Sequence, residues 1–98
     1  MDKTYILMRL FEWDEAKRLS NIEKHSLDFA RATLIFDGRP VLNFLAKTET
    51  EDRFVTVGRM DDGIYYTVIW TERIGAQRII SFRRARHGEK ADYLALHG

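Results

Sequence analysis

The sequence predicts an α+β domain in the order β-α-α-β-β-β-β-α, a small antiparallel sheet covered on one face by helices. Three observations carry that prediction. Apolar residues recur at helical spacing between Asp14 and Phe36, behind two aspartates placed as N-caps. After Pro40 the period shifts toward two, and the runs are separated by short turn signals. The chain has 98 residues, 45% apolar and 32% charged, the size and balance of a single globular domain with one core.

A short first strand falls within residues 4–12. Asp14 caps a helix running to about His25. On a wheel of about 100° per residue, Lys17, Asn21, Lys24 and His25 share one side, and Ala16, Leu19 and Ile22 lie opposite. The apolar side is the expected buried face. Asp28 caps a second helix, with Leu27 as a staple residue and Phe29, Ala32 and Phe36 on one face; Gly38 ends it. Strands follow at Val41–Leu45, Arg53–Met60, Ile64–Arg73 and Arg78–Arg84, with turns at Asp61-Asp62-Gly63 and Ile74-Gly75-Ala76-Gln77. The last three form an antiparallel meander. Residues 87–96 read as a terminal helix.

Composition excludes several function classes. With no cysteine there is no disulfide framework, thiolate metal site or cysteine nucleophile. His25, His87 and His97 show no ligand spacing, so no metal or other cofactor is expected. There is no glycine-rich phosphate loop, and Ser81 has no evident base. The longest apolar stretch is too short to span a bilayer, no signal peptide is read, and the expected location is the cytoplasm.

The net charge of +1 conceals an asymmetry. Residues 1–52 hold 8 Lys/Arg and 10 Asp/Glu, a balance of −2, whereas residues 53–98 hold 8 and 5, a balance of +3. Arginine forks suit phosphate oxygens, so the second half leans toward a polyanion partner. Strict alternation along Arg78–Arg84 puts Arg78, Ile80, Phe82 and Arg84 on one face and Ile79, Ser81 and Arg83 on the other. These arginines are either a phosphate cradle with Arg83 foremost, or edge charges and partners of Glu72 and Asp61. Lys24 and His25 either compensate the helix dipole or join Lys17 and Asn21 in a polar working face. Glu72 is a base or an arginine partner. Trp13 and Trp70 stack on bases or belong to the core.

Several pieces together resemble the BrnT-type toxins, small ribonucleases of bacterial type II toxin–antitoxin modules. They are Phe11-Glu12-Trp13-Asp14, Lys17, Asn21, Lys24-His25, Phe29, Ala32, Phe36-Asp37, Arg53, Gly58, Thr71-Glu72-Arg73, Arg78-Ile79-Ile80-Ser81-x-Arg83-Arg84-Ala85, Glu89 and Tyr93. The similarity covers about residues 8–95. The chain departs from the pattern at Ser26-Leu27-Asp28, where the family usually has Gly, an aliphatic residue and Ser, at Phe82 in place of alanine, and at Arg86-His87-Gly88. Met8 is a candidate natural start, since family members tend to begin near Phe11.

The resemblance implies a RelE-like fold and RNA cleavage that blocks translation. It also implies a ribbon-helix-helix antitoxin that neutralises the toxin in a heterotetramer and binds operator DNA. In RNA the 2′-hydroxyl is the nucleophile, so the chemistry needs proton transfer and charge stabilisation but no metal. The candidate catalytic residues are His25 as acid or base, Lys24 on phosphate, Glu72 as the competing base, and Arg83 and Arg84 on the developing charge. The candidate RNA-binding residues are Lys17, Asn21, Arg53, Arg73, Arg78 and Trp13. The rival reading is a non-catalytic nucleic-acid- or protein-binding module, or an inactive toxin homologue. No helix-turn-helix pattern supports a regulator acting alone.

Overall fold

The computed structural model describes residues 10–98. The part of the first-strand prediction on residues 4–9, and the candidate start at Met8, lie outside them. The elements are β1 (Phe11–Trp13), α1 (Glu15–His25), α2 (Phe29–Ala32) continued by a 3₁₀ turn (Thr33–Phe36), β2 (Val41–Lys47), β3 (Asp52–Arg59), β4 (Tyr65–Arg73), β5 (Ala76–Arg84) and α3 (His87–His97). They form one five-stranded sheet in the order β1-β5-β4-β3-β2. All neighbours are antiparallel except β1 and β5, which run parallel, so the sheet is mixed at that edge.

Helices cover both faces, not the one expected. Phe29, Ala32 and Ile35 pack with Tyr66, Val68, Trp70, Ile79 and Phe82 on one face. On the other, Tyr93 of α3 closes over Val55 and Val57. β3 is therefore apolar or small toward both sides through Val55–Gly58, as a strand covered twice must be. Gly58 admits Ile35, whose Cγ1 would lie 2.7 Å from an added Cβ.

Local physics accounts for the elements. Asp14 accepts the Lys17 N–H at 3.2 Å, and Asp28 accepts the Ala30 N–H at 3.0 Å, as the cap reading required. After Ala32 the winding tightens, and the three-residue repeat of a 3₁₀ turn lines up Phe29, Ala32 and Ile35 as the buried face. Phe36 is only half-buried, against Trp70 and Phe11. The turn into β5 is also shorter than predicted. Gly75, at φ 75°, closes it so that Arg73 already pairs with Ala76, and Gln77 lies in the strand.

α1 does not bury the predicted apolar stripe: Asn21 is its one buried residue, Arg18 and Ile22 are half-buried, and Lys17, Lys24 and His25 are exposed. Asn21 is 7% exposed, while Leu19 is 55% exposed and Ala16 also faces water. β1 pairs with β5 only across Gln77–Ile79, which leaves the β5 backbone open beyond that point. Asn21 fills the place of a strand there: its amide donates to Phe82 O at 2.7 Å and accepts the Phe82 N–H at 3.1 Å. Its second N–H goes to Leu27 O at 2.9 Å. A strand edge demands a donor and an acceptor, which an apolar stripe cannot supply.

The strict alternation predicted for β5 fails for a related reason. Ile69 pairs with Ser81 but Trp70 pairs with Ile79, so a bulge takes up Ile80. The bulge returns Ile79 to the face of Phe82, and both are buried in the same core. Arg78 then opposes Thr71 and Arg83 opposes Thr67, which puts both on the α3 face, away from Arg84.

Candidate active site

A hollow of about 540 Å³ lies where the C-terminal end of α1, α2, the β3–β4 hairpin and the end of β5 meet. Its walls include Lys24, His25, Arg31, Tyr66, Arg83 and Arg84, with Asp62 the one carboxylate among the lining residues. The volume is in the range of small-ligand sites. A smaller hollow of about 260 Å³ adjoins it along α1, shares Lys24 and His25, and adds Lys17, Ser20 and Ser81. Four cationic side chains line the hollow; Arg31 and Arg83 are paired with Asp62 and Glu89, which leaves Lys24 and Arg84 as the charges in no ion pair among the described residues.

The walls are held by local devices. α1 ends at Ser26, whose N–H reaches Ile22 O at 2.8 Å with φ at 57°. That left-handed cap holds Ser26 in a backbone region that is strained for a side chain and free for glycine. Ser26→Gly is expected to raise stability by about 0.5–1 kcal/mol, seen as a higher denaturant midpoint at unchanged slope. Lys24 and His25, just before the cap, are exposed and stand in the last turn, where positive charge complements the helix dipole.

Arg83 is tied down more firmly than a free phosphate fork. It is 14% exposed, and its two terminal nitrogens donate to the two oxygens of Glu89 at 2.7 and 2.9 Å. Glu89 also accepts the Arg86 N–H at 2.8 Å and the Thr67 hydroxyl at 3.0 Å. The Arg83 guanidinium, helped by that N–H, holds the Glu89 carboxyl down at about 2. This joins β5 to the first turn of α3.

Because the folded value lies below the ordinary glutamate range, the pair stabilises fully above about pH 5 and is lost as pH falls toward 2. The contribution is on the order of 3 kcal/mol. Thermal melts of Glu89→Gln should lose that stability at pH 7 and show a flatter decline in acid. An acid limb as steep as that of the parent protein would exclude this linkage.

The hollow is lined by Lys24, His25, Arg83 and Arg84, with Lys17 beside it, but the Arg83 guanidinium turns to Glu89 on the α3 face. Other candidates lie elsewhere. Asn21 lines the adjoining hollow, but its amide is fully engaged with backbone. Trp13 packs edge-on against Phe29 at 6.2 Å, and Trp70 stacks on Phe54 at 4.6 Å, its indole N–H donating to Thr56 at 2.8 Å. Glu72 opposes Gln77, six residues from Arg83 along β5, which is about 20 Å of strand. It lines a separate hollow with Phe36, Arg39 and Trp70. Arg53 and Arg73 both meet Glu51, at 3.5 and 3.0 Å, and Arg78 meets Glu12 at 3.7 Å. These three belong to the end of the sheet away from His25.

Arg31 and Tyr66 carry no functional signal in the sequence, and Asp62 enters it only through the Asp61-Asp62-Gly63 turn; the three come from a helix, a strand and a hairpin that only the fold brings together. Among the described residues no group of three His, Cys, Asp or Glu is arranged to hold a metal ion.

A family model described as "Ribonuclease toxin, BrnT, of type II toxin-antitoxin system" matches residues 13–89. The fold is similar to that of the ribonuclease toxin BrnT of Brucella abortus, known from a 1.1 Å crystal structure. The TM-score is 0.61 at 29% identity, covering 82% of this chain and 100% of that one. No curated protein matches the chain. The family match takes in every residue that lines the cationic hollow, along with the whole sheet from β2 to β5. The chain thus belongs to the BrnT family of ribonuclease toxins of type II toxin–antitoxin systems.

Proposed function

We propose that this chain is a metal-independent endoribonuclease that cuts RNA in the hollow beside His25 and thereby blocks translation. The observation that supports this most is the convergence of an exposed imidazole with ammonium and guanidinium groups from three elements around one open space. The ribose 2′-oxygen attacks the adjacent phosphorus, and the bond to the 5′-oxygen breaks, leaving a 2′,3′-cyclic phosphate and a free 5′-hydroxyl. His25 moves a proton at the 2′-oxygen or the leaving 5′-oxygen. Lys24 and Arg84 stabilise the charge that grows on the non-bridging oxygens, and Arg83 sets the wall on which Arg84 stands. Lys17 extends the cationic track along α1. Glu72, placed far from His25, has no part at the same phosphate.

The partner is a cognate antitoxin of ribbon-helix-helix type that covers the hollow, forms a heterotetramer with the toxin and carries the complex to operator DNA. Action is in the cytoplasm, where RNA is translated. Among the described residues no helix is long and apolar enough to cross a membrane. The test is to incubate the purified chain with single-stranded RNA in excess chelator and to identify the ends. Cyclic phosphate ends are expected, with cutting suppressed by the antitoxin. Binding without cutting would favour the non-catalytic module, and cutting only with added divalent cation would refute metal independence.

A further inference from the structure

We infer that Arg31, held by Asp62 and Tyr66, is a preset fork of the hollow that grips the RNA phosphate beside Lys24 and Arg84, with Asp62 and Tyr66 as its positioning residues. This rests on reading the hollow as the RNA site.

Three features of the walls lead there. Arg31 is tethered: it donates from one terminal nitrogen to the Tyr66 hydroxyl at 3.3 Å and from the other to Asp62 at 2.6 Å. Its guanidinium also lies over the Tyr66 ring, 5.0 Å from the centroid. Arg31 is still available, since a guanidinium carries five N–H bonds and the side chain is 40% exposed. Of the other two arginines in the wall, Arg83 already has both terminal nitrogens on Glu89, and Arg84 is exposed and in no ion pair among the described residues, so it is not preset. A fork fixed before the ligand arrives loses less side-chain freedom on binding than a long free lysine does.

The nearby carboxylate is compatible with an anion in the hollow. Asp62 accepts from the Ile64 N–H at 2.9 Å, the Tyr66 hydroxyl at 2.7 Å and Arg31. Its negative charge is therefore answered by three donors. The buried Tyr66 ring, packed 5.3 Å from Phe82, anchors the arrangement to the core.

The test uses the full chain and a short 2′-O-methyl RNA, which cannot be cut through its 2′-oxygen, with affinity measured across a salt series. Each phosphate neutralised on a single strand contributes about 0.7 to the slope of log affinity against log salt. Arg31→Ala is expected to bind about tenfold more weakly and to lose about 0.7 of slope. Arg31→Lys should keep the slope but recover only part of the affinity, because a point charge replaces the fork. Tyr66→Phe should keep the slope and weaken binding about two- to threefold. Arg39→Ala, on an arginine that pairs with Asp37 and Asp61 outside this hollow, should change neither quantity. A purely structural role for Arg31 would leave the slope intact in folded Arg31→Ala, and that result overturns the inference. Should Arg31→Ala not fold, Arg31→Lys and Tyr66→Phe decide, and parental affinity in both overturns it. Parent protein that binds this RNA with the expected Arg31 dependence but leaves ordinary RNA uncut removes the nuclease reading and keeps the grip. Parent protein that does not bind removes both.

Discussion

His25→Ala is expected to lower RNA cleavage by about 10²–10⁴-fold, the range that a positioned general acid or base contributes. Stability should hardly move. His25 is exposed at the end of α1, and the loss there is limited to the dipole effect, below about 1 kcal/mol. The measurement is single-turnover cleavage of a labelled RNA beside a thermal melt. Retained activity in His25→Ala would take the imidazole out of the mechanism, whereas a large fall in melting temperature would make the activity loss uninformative about chemistry. Lys24→Ala provides the second arm: it should weaken cleavage while leaving its pH profile in place, since an ammonium on phosphate contributes charge rather than a proton.

The largest effect on stability is expected at Asn21. Asn21→Leu keeps the branched side-chain skeleton but leaves the Phe82 N–H and C=O, and the Leu27 C=O, without their side-chain partner. Each orphaned group costs about 1–3 kcal/mol and the burial of a leucine side chain offsets part of the total, so a net loss of about 2–4 kcal/mol is expected, or roughly 10–25 °C in melting temperature. The same change should loosen α1 from β5 and blur the hollow, so cleavage should fall as well. An apolar buried face on α1, as the helical wheel suggests, demands the opposite result: Asn21→Leu neutral or stabilising. A chemical denaturation curve separates the two outcomes.

The elements of this fold were legible because they rest on local signals. Asp14 and Asp28 cap the helices that follow them, Gly63 and Gly75 close the turns, and the switch from helical spacing to alternation falls after Pro40. What local reading missed depends on neighbours. The inward side of α1 is set by the open β5 backbone, which no wheel of α1 contains. The face of each β5 arginine is set by the bulge at Ile80, one residue that reverses the alternation for everything before it. α3 lies on the face opposite α2, so the helices do not share one layer.

The candidate site divides in the same way. Lys24, His25, Arg83 and Arg84 belong to two segments that the resemblance marked, and they line one hollow. Glu72, Arg53, Arg73 and Arg78 carry the same residue chemistry, but strand length takes them to the far end of the sheet. Arg31, Tyr66 and Asp62 are not legible as a site in the sequence, because their spacing along the chain follows no pattern.

The two arginine-bearing ends of the sheet make the location of RNA the decisive question. Amide chemical shifts of the isotope-labelled chain, followed while a short 2′-O-methyl RNA is added, answer it directly. Perturbations are expected at residues 24–27, 31, 62–66 and 83–84, around the cationic hollow. Perturbations confined to Arg53, Arg73, Arg78 and their neighbours, with Lys24 and His25 unmoved, would place the RNA at the other end and contradict the assignment of the hollow as the site of cleavage.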